Sequence, residues 1–316
     1  MLQLSRISKL RRISLADLCI ASAVLLILSG SVLAQQPGQK TFASAEDAGQ
    51  ALLVAAQSGG QTAMLEIFGP AAATALITTS DSDQDQKIRD EFVAEYKEMH
   101  RIVQEPDGTT TLYIGAENWP VPVPLVEASG VWHFDTEAGK KEILFRRIGR
   151  NEYAAIDVCH VLVSAQGEYY SQPRDGKVQQ YAQVLASDKG RHNGLFWKTA
   201  DGEPESPIGP LLAYATGPGN DKQEGENSPF HGYYFRILTA QGKSARVDAK
   251  SYIVNGEMIA GFAFLAYPAD YRSSGVMTFI VDQTGMVYQK DLGDKTAQLA
   301  SAVTEYAPDE TWKKAE

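Results

Sequence analysis

The chain has 316 residues, with 29 Lys and Arg against 39 Asp and Glu, a net charge of -10 and 44% hydrophobic residues. So acidic a surface repels nucleic acid and anionic lipid, and neither is an expected partner. Two cysteines are too few for a disulfide framework, so stability must come from hydrophobic burial, for which the chain is long enough to form one or two cores.

Residues 1–34 read as a secretory leader. Arg6, Lys9, Arg11 and Arg12 open it, Leu18 to Leu28 form an apolar run, and Val32-Leu33-Ala34 meets the small-residue requirement of a signal peptidase. Cleavage after Ala34 is expected to start the mature chain at Gln35, lower the net charge to about -13 and leave Cys159 as the single cysteine. The apolar run is too short to span a bilayer comfortably and no later run reaches membrane length. The expected product is therefore soluble, periplasmic or secreted, with no stable membrane anchor. Ser14 argues against twin-arginine export, and Leu18 before Cys19 against lipid attachment. Cys159, within the apolar AAIDVCHVLV, reads as a small buried core residue.

Ser44 followed by Asp47 is a capping-box-like start for a helix carrying Ala48, Ala51, Leu52 and Ala55 at helical spacing, stopped by Gly59-Gly60. A short helix, Thr62 to Phe68, ends at Gly69-Pro70. A third is expected from about Gln84 to Val103, with Ile88, Phe92, Tyr96 or Met99, and Val103 in one stripe. Strand patterns follow in TTLYIGA, VPVPLVE and GVWHFD, separated by turn signals at Asp107-Gly108 and Ser129-Gly130. Pro120, Pro122 and Pro124 make the middle segment an edge strand or extended arm. From Glu137 to about Tyr170 the pattern is helical, with a break expected near Gly149.

Residues 201–232 concentrate proline and glycine and read as a connecting region with one short helix at Leu211 to Ala215. Beyond it the chain turns β: GYYFRILTA, KSYIVNG, MIAGFAFLAYP, GVMTFIVD and MVYQKDL, with Val281 to Gly285 as a hairpin turn and a last helix from Lys295 to Glu305. Both alternate faces of Tyr233–Leu238 carry large apolar groups, which predicts a central strand covered on both sides. The fold class is α+β: a helix-rich N-terminal part with a small antiparallel sheet, a Pro/Gly-rich connection, and an antiparallel β C-terminal part. The boundaries expected are 35–172, 173–230 and 231–316.

Most catalytic signatures are absent from the sequence. It contains no G-x-S-x-G elbow and no S-x-x-K. The five histidines, His100, His133, His160, His192 and His231, form neither H-x-H nor H-E-x-x-H, so no metal is expected. Asp81, Asp83 and Asp85 begin like a calcium loop, but Gln86 and Phe92 stand where the glycine and the bidentate glutamate belong; they read better as acids before a helix. Gly242-Lys243-Ser244 lacks the first glycine of a phosphate loop, and no cofactor is expected. Cys159 and His160, adjacent on a helix, point about 100° apart and cannot act as nucleophile and base.

Two groups carry binding character. Lys140, Lys141, Arg146, Arg147 and Arg150 gather positive charge that suits a phosphate, sulfate or carboxylate, against a solvated helix face in which Glu142 pairs with Arg146. Trp119 in ENWPVPVP and Trp197 in NGLFW suit a sugar or a proline-rich partner if exposed, and a core if buried. His231, Tyr234 and Arg236 in the β region complete the candidates.

The blocks WPVPVPLVEASGVWHFDTEAGKKEILFRRIGRNEYAAIDVC, GYYFRILTAQG and SGVMTFIVDQTGMVYQKDLG resemble, in order and over nearly the whole mature chain, the secreted bacterial domain-of-unknown-function family 2950. The resemblance implies an envelope or secreted location and a shared fold, and no reaction. GFAFLAYPADYRSSGVMTFIVDQTGMVYQ is also similar to the head regions of type IV pilin-like proteins, although the leader here is cleavable. The expectation is a non-catalytic envelope or secreted binding or assembly factor, with an envelope protein or glycan as partner, using the C-terminal sheet and the Trp119 arm. The alternative is a hydrolase of cell-wall or exogenous polymer, with His231, Arg236 and Asp282 as its first candidates.

Overall fold

The structure is a computed structural model that describes residues 35–58, 61–70, 82–199, 202, 204–217, 228–243 and 248–315, with side chains in the third helix from Gln86 onward. The leader with its Ala34 cleavage point, Gly59-Gly60, Asp81, the side chains of Asp83 and Asp85, and Ser244 lie outside the described residues. The architecture is α+β. Two compact units divide it, one up to Lys140 and one from Lys141 onward. The division falls inside a helix, whereas composition alone places joints near 172 and 230.

In the first unit, α1 (Ala45–Ser58), α2 (Gln61–Phe68) and α3 (Ser82–Glu98) accompany an antiparallel sheet of β1 (His100–Gln104), β2 (Thr110–Ile114), β3 (Trp119–Pro120), β4 (Leu125–Ala128) and β5 (Val131–Phe134). Ser44 caps α1 as its position suggests, its Oγ accepting from Asp47 N–H at 3.0 Å. Leu52 and Ala48 from α1, Leu112 from β2, and Leu125 and Phe134 from β4 and β5 share one core. The order β1-β2-β4-β5, with β3 beside β2, leaves Val121–Pro124 as an arm between two paired stretches.

The helix expected to reach Val103 stops at Glu98. His100–Gln104 instead pairs with Ile114–Thr110, because a strand partner in reach outweighs the marginal helical preference of the β-branched Ile102 and Val103. His100 closes the helix end, its ring stacked on Tyr96 at 4.1 Å and its Nδ1 donating to the Tyr96 carbonyl at 3.0 Å.

The helix α4 (Thr136–Tyr170) runs 35 residues without the break expected at Gly149, about 52 Å at 1.5 Å per residue. A lone glycine costs a helix only about 1 kcal/mol. Asp135 starts α4, its Oδ1 accepting from Ala138 N–H at 3.0 Å.

In the second unit, β6 (Val184–Ala186) and β7 (Gly194–Phe196) form a parallel pair, followed by α5 (Pro210–Ala213). The principal sheet is antiparallel. Its strands are β8 (Tyr233–Leu238), β13 (Ala263–Pro268), β14 (Met277–Asp282), β15 (Val287–Asp291) and β16 (Lys313–Lys314), in the order β16-β15-β14-β13-β8. Between β8 and β13 lie the short pairs β9 (Ala240–Gln241) with β10 (Lys250–Ser251) and β11 (Ile253–Val254) with β12 (Glu257–Met258). The helix α6 (Thr296–Ala302) follows β15.

The strand expected to be central, Tyr233–Leu238, is an edge strand. Apolar residues on both its faces report cover above and below, not neighbours on both sides. Its open side meets the chain at Ala215, whose carbonyl accepts from Phe235 N–H at 2.7 Å. The two-faced burial belongs to β13, all six of whose residues are buried. Around it gather Ala155, Cys159 and Leu162 of α4, Leu185 and Leu195 of the supposed connection, and Ala300 of α6. The expected β14–β15 hairpin is present, with Val281 opposite Val287 and Gly285 at φ 76°.

Two glycines separate the fold's constraints. A Cβ at Gly275 would lie 2.2 Å from the Tyr233 hydroxyl oxygen, whereas at Gly149 it meets nothing within 4 Å. Gly275→Ala should destabilise the protein by roughly 1–3 kcal/mol, and Gly149→Ala should stabilise it by roughly 0.5–1 kcal/mol, both read from urea unfolding midpoints. His133 on β5 is buried, its Nδ1 lacks a hydrogen-bond partner, and burial lowers its pKa against the pull of Asp135. The unfolded chain therefore takes the proton first. The neutral imidazole's stability contribution is complete above a pH of about 6.5 and declines as pH falls from there toward the folded-state value. The wild-type midpoint should drop more between about pH 7.5 and about pH 5.5 than that of His133→Gln.

Candidate functional site

Trp119 sits on β3, opposite Ile114, and is 58% exposed. The turn before it is fixed at both ends. Gly115 N–H donates to the carbonyls of Glu95 (3.1 Å) and Met99 (2.9 Å), and a Cβ there would lie 1.7 Å from Glu95 Oε2. Asn118 occupies the left-handed region at φ 55°, which asparagine tolerates better than most residues, and its Oδ1 accepts from Arg101 Nε at 2.7 Å. The Arg101 guanidinium stands 4.7 Å from the Tyr113 ring, and the Tyr113 hydroxyl donates to Glu105 Oε1 at 2.9 Å. That hydrogen bond, with desolvation second, raises the Tyr113 pKa. This corner of the sheet thus presents an exposed indole level with Ile114, while Arg101 and Tyr113 pair on the alternate face and order the turn that leads to it.

The basic run on α4 does not form one site. Lys140 pairs with Glu137 at 2.8 Å and Arg146 with Glu142 at 2.7 Å, as the helix-face reading anticipates. Lys141 and Arg150 are exposed. Arg147 does something different, its Nε donating to the Ser273 carbonyl at 3.2 Å. Asn151, one turn on, donates to the Ser274 carbonyl at 2.8 Å, and Glu152 Oε1 accepts from the backbone of Val276 (2.8 Å) and Met277 (3.0 Å). Three side chains of α4 thereby clamp the loop entering β14. His231 reaches the same neighbourhood by its chain neighbour, since a Cβ on Gly232 would lie 2.6 Å from Asn151 Nδ2. His231 itself is exposed in a turn at φ 49°, its ring 4.3 Å from Phe230.

The family described as "Protein of unknown function (DUF2950)" matches residues 39–315. The chain belongs to that family. No curated protein and no solved structure matches it.

The other candidates of this DUF2950 chain are held structurally. Trp197 is buried and donates from Nε1 to the Pro204 carbonyl at 3.2 Å. Tyr234 is partly buried, its ring 5.6 Å from Tyr267. Arg236 donates to the carbonyls of Ala300 (2.7 Å), Ser301 (3.1 Å) and Val303, so it closes the C-terminal end of α6. Asp282 takes both the N–H (3.0 Å) and the hydroxyl (2.5 Å) of Thr284 inside the hairpin turn.

The strand register keeps this last set apart. Asp282 is level with Ala263, which is level with Leu238, whereas His231 precedes Tyr233 at the other end of β8. Tyr233 to Leu238 alone spans about 17 Å along the sheet. Burial pushes the Cys159 thiol up to about 12, which removes it as a nucleophile near neutrality. Among the described residues, no group of three or more His, Cys, Asp or Glu is placed to hold a metal ion.

Sequence reasoning named Trp119 and Arg147 but not Arg101, Asn118, Asn151 or Glu152, whose roles depend on partners distant in the chain. Arg236 is the sharpest case of a polar candidate with a structural job. Arg236→Met should lower stability by roughly 1.5–3 kcal/mol, the scale of hydrogen bonds from a charged group. Hydrogen exchange should accelerate most in α6, with Arg236→Lys intermediate.

Proposed function

We propose that this protein is an exported envelope or secreted binding factor that engages a protein partner through the Trp119 corner. The observation that carries this reading is a tryptophan more than half exposed on a turn fixed at both ends. Tryptophan is among the residue types that dominate interface energetics, and Trp119 follows a turn held by Gly115 at one end and Asn118 at the other. Export rests on the leader features of residues 1–34, and the DUF2950 membership adds no reaction to set against binding. No helix among the described residues is long and apolar enough to cross a membrane, which fits release of the mature chain after cleavage.

A photo-crosslinking residue at position 119 in cells tests the proposal, with position 234 as the half-covered control. The expected result is one dominant adduct from position 119 in the envelope or medium, whose purified partner binds wild-type protein and loses at least about tenfold in affinity to Trp119→Ala. The unfolding midpoint of that variant is read beside wild type, so that a loss of affinity in folded protein is separated from a loss of fold. Capture only of glycan, cytoplasmic retention of the uncleaved chain, or unchanged partner affinity in Trp119→Ala would each overturn the proposal.

A further inference from the structure

Past the end of α4 the chain turns back and sets Arg174 against two aromatic rings. Its guanidinium carbon lies 5.0 Å from the centre of the Tyr169 ring and 4.8 Å from that of Trp197. Both rings belong to the buried core and are fixed by their polar atoms. The Tyr169 hydroxyl donates to the His192 carbonyl at 2.7 Å, and the Trp197 Nε1 is held by Pro204. Contact with ring faces orients a guanidinium without consuming its N–H donors, which remain in the plane of the fork.

One of those donors, Nε, lacks an acceptor. Arg174 Nε is buried with no hydrogen-bond partner, and among the described residues no carboxylate is paired with this arginine. Two carboxylates act on the neighbouring Tyr169 hydroxyl, those of Asp175 and Glu257, but both are engaged elsewhere. Asp175 accepts the His192 backbone N–H at 3.0 Å and faces Arg191 Nε at 3.8 Å and His192 Nδ1 at 3.7 Å. Glu257 pairs with Lys177 at 3.2 Å. A buried donor left without an acceptor costs about 1–3 kcal/mol, a cost that an acceptor arriving from outside would remove.

We propose that Arg174 anchors a carboxylate-binding site in the second unit, its fork receiving the two oxygens of a carboxylate-bearing ligand, with Arg191 and His192 at the rim. The charges select the class. Arg174, Arg191 and Lys177 against Asp175 and Glu257 leave a single positive charge, which a monoanionic carboxylate neutralises and a phosphate dianion overshoots. The carboxylate comes either from a peptide C-terminus or from an acidic sugar. The site lies in a different unit from Trp119 and is read on different atoms, so the failure of one proposal leaves the other untouched.

The test is titration of the purified, arginine-¹⁵N-labelled protein with four probes: N-acetyl-alanyl-alanine, its C-terminal amide, glucuronate and inorganic phosphate. The Arg174 Nε–H resonance should move downfield and saturate with the free-acid peptide or with glucuronate, whichever supplies the natural carboxylate, and should not move with the amide. Arg174→Lys, which keeps the charge and loses the fork, should bind the effective probe at least about tenfold more weakly by calorimetry. No movement with either carboxylate, phosphate binding as tightly as the better carboxylate, or undiminished binding by Arg174→Lys would overturn the site. If the variant melts early, the wild-type resonance still decides, because it requires no substitution.

Discussion

The second unit depends on a strand with no wet side. All six residues of β13 are buried, and Phe264, Leu265 and Ala266 are fully so. A strand of this kind must be covered on both faces and paired on both edges, and the surrounding chain meets those demands. β8 and β14 supply the ladders, while α4, the 182–215 stretch and α6 contribute to the same core. The polar details follow from that requirement. Arg236, on the edge strand, donates to the last carbonyls of α6, and so fastens a seven-residue helix too short to persist in isolation. Buried Gln166 on α4 exchanges two hydrogen bonds, each 2.8 Å, with the backbone of Ala182, and thereby imitates a strand neighbour where the chain returns along the helix.

The clamp from α4 serves the same strand order from the other direction. Glu152 accepts from two backbone donors at the entrance to β14, and Tyr233 donates to the Met277 carbonyl at 2.9 Å. Burial raises the Tyr233 pKa well above its ordinary range, so this phenol remains a donor at any physiological pH. Arg147, which looked like part of a cationic patch, is the outermost member of this clamp. Its charge lies at the surface while its function there is geometric.

Local chemistry was the legible part of the sequence. Ser44 as a cap, the Asp282–Gly285 turn, the burial of Cys159 and the α+β class rest on neighbours within a few residues, and the family likeness rests on three long blocks. What escaped depends on partners far along the chain. His100–Gln104 is a strand only because β2 lies beside it; Tyr233–Leu238 sits at an edge, which no alternation pattern encodes; and Gly149 could not announce that α4 passes through it unbroken. The stretch 173–230, read as a connection, concealed Leu185 and Leu195 as core residues, since their short strands offer too few positions for a period to show. Trp119 and Trp197 look alike in sequence, yet one is exposed and the other has its indole N–H tied to a proline carbonyl. The arrangement of Arg174 between rings is visible only in three dimensions.

The solitary thiol has a consequence of its own. From residue 35 onward Cys159 is the one cysteine of the chain, and it sits with no exposed surface on the face of α4 that packs into the second unit's core. An alkylating reagent can reach it only when that core parts, and only after a proton far harder to remove than an ordinary thiol's has been released by exposure to water. The protein therefore carries its own clock for core opening: the rate at which Cys159 is alkylated measures how often the helix lifts from the sheet, with no residue changed.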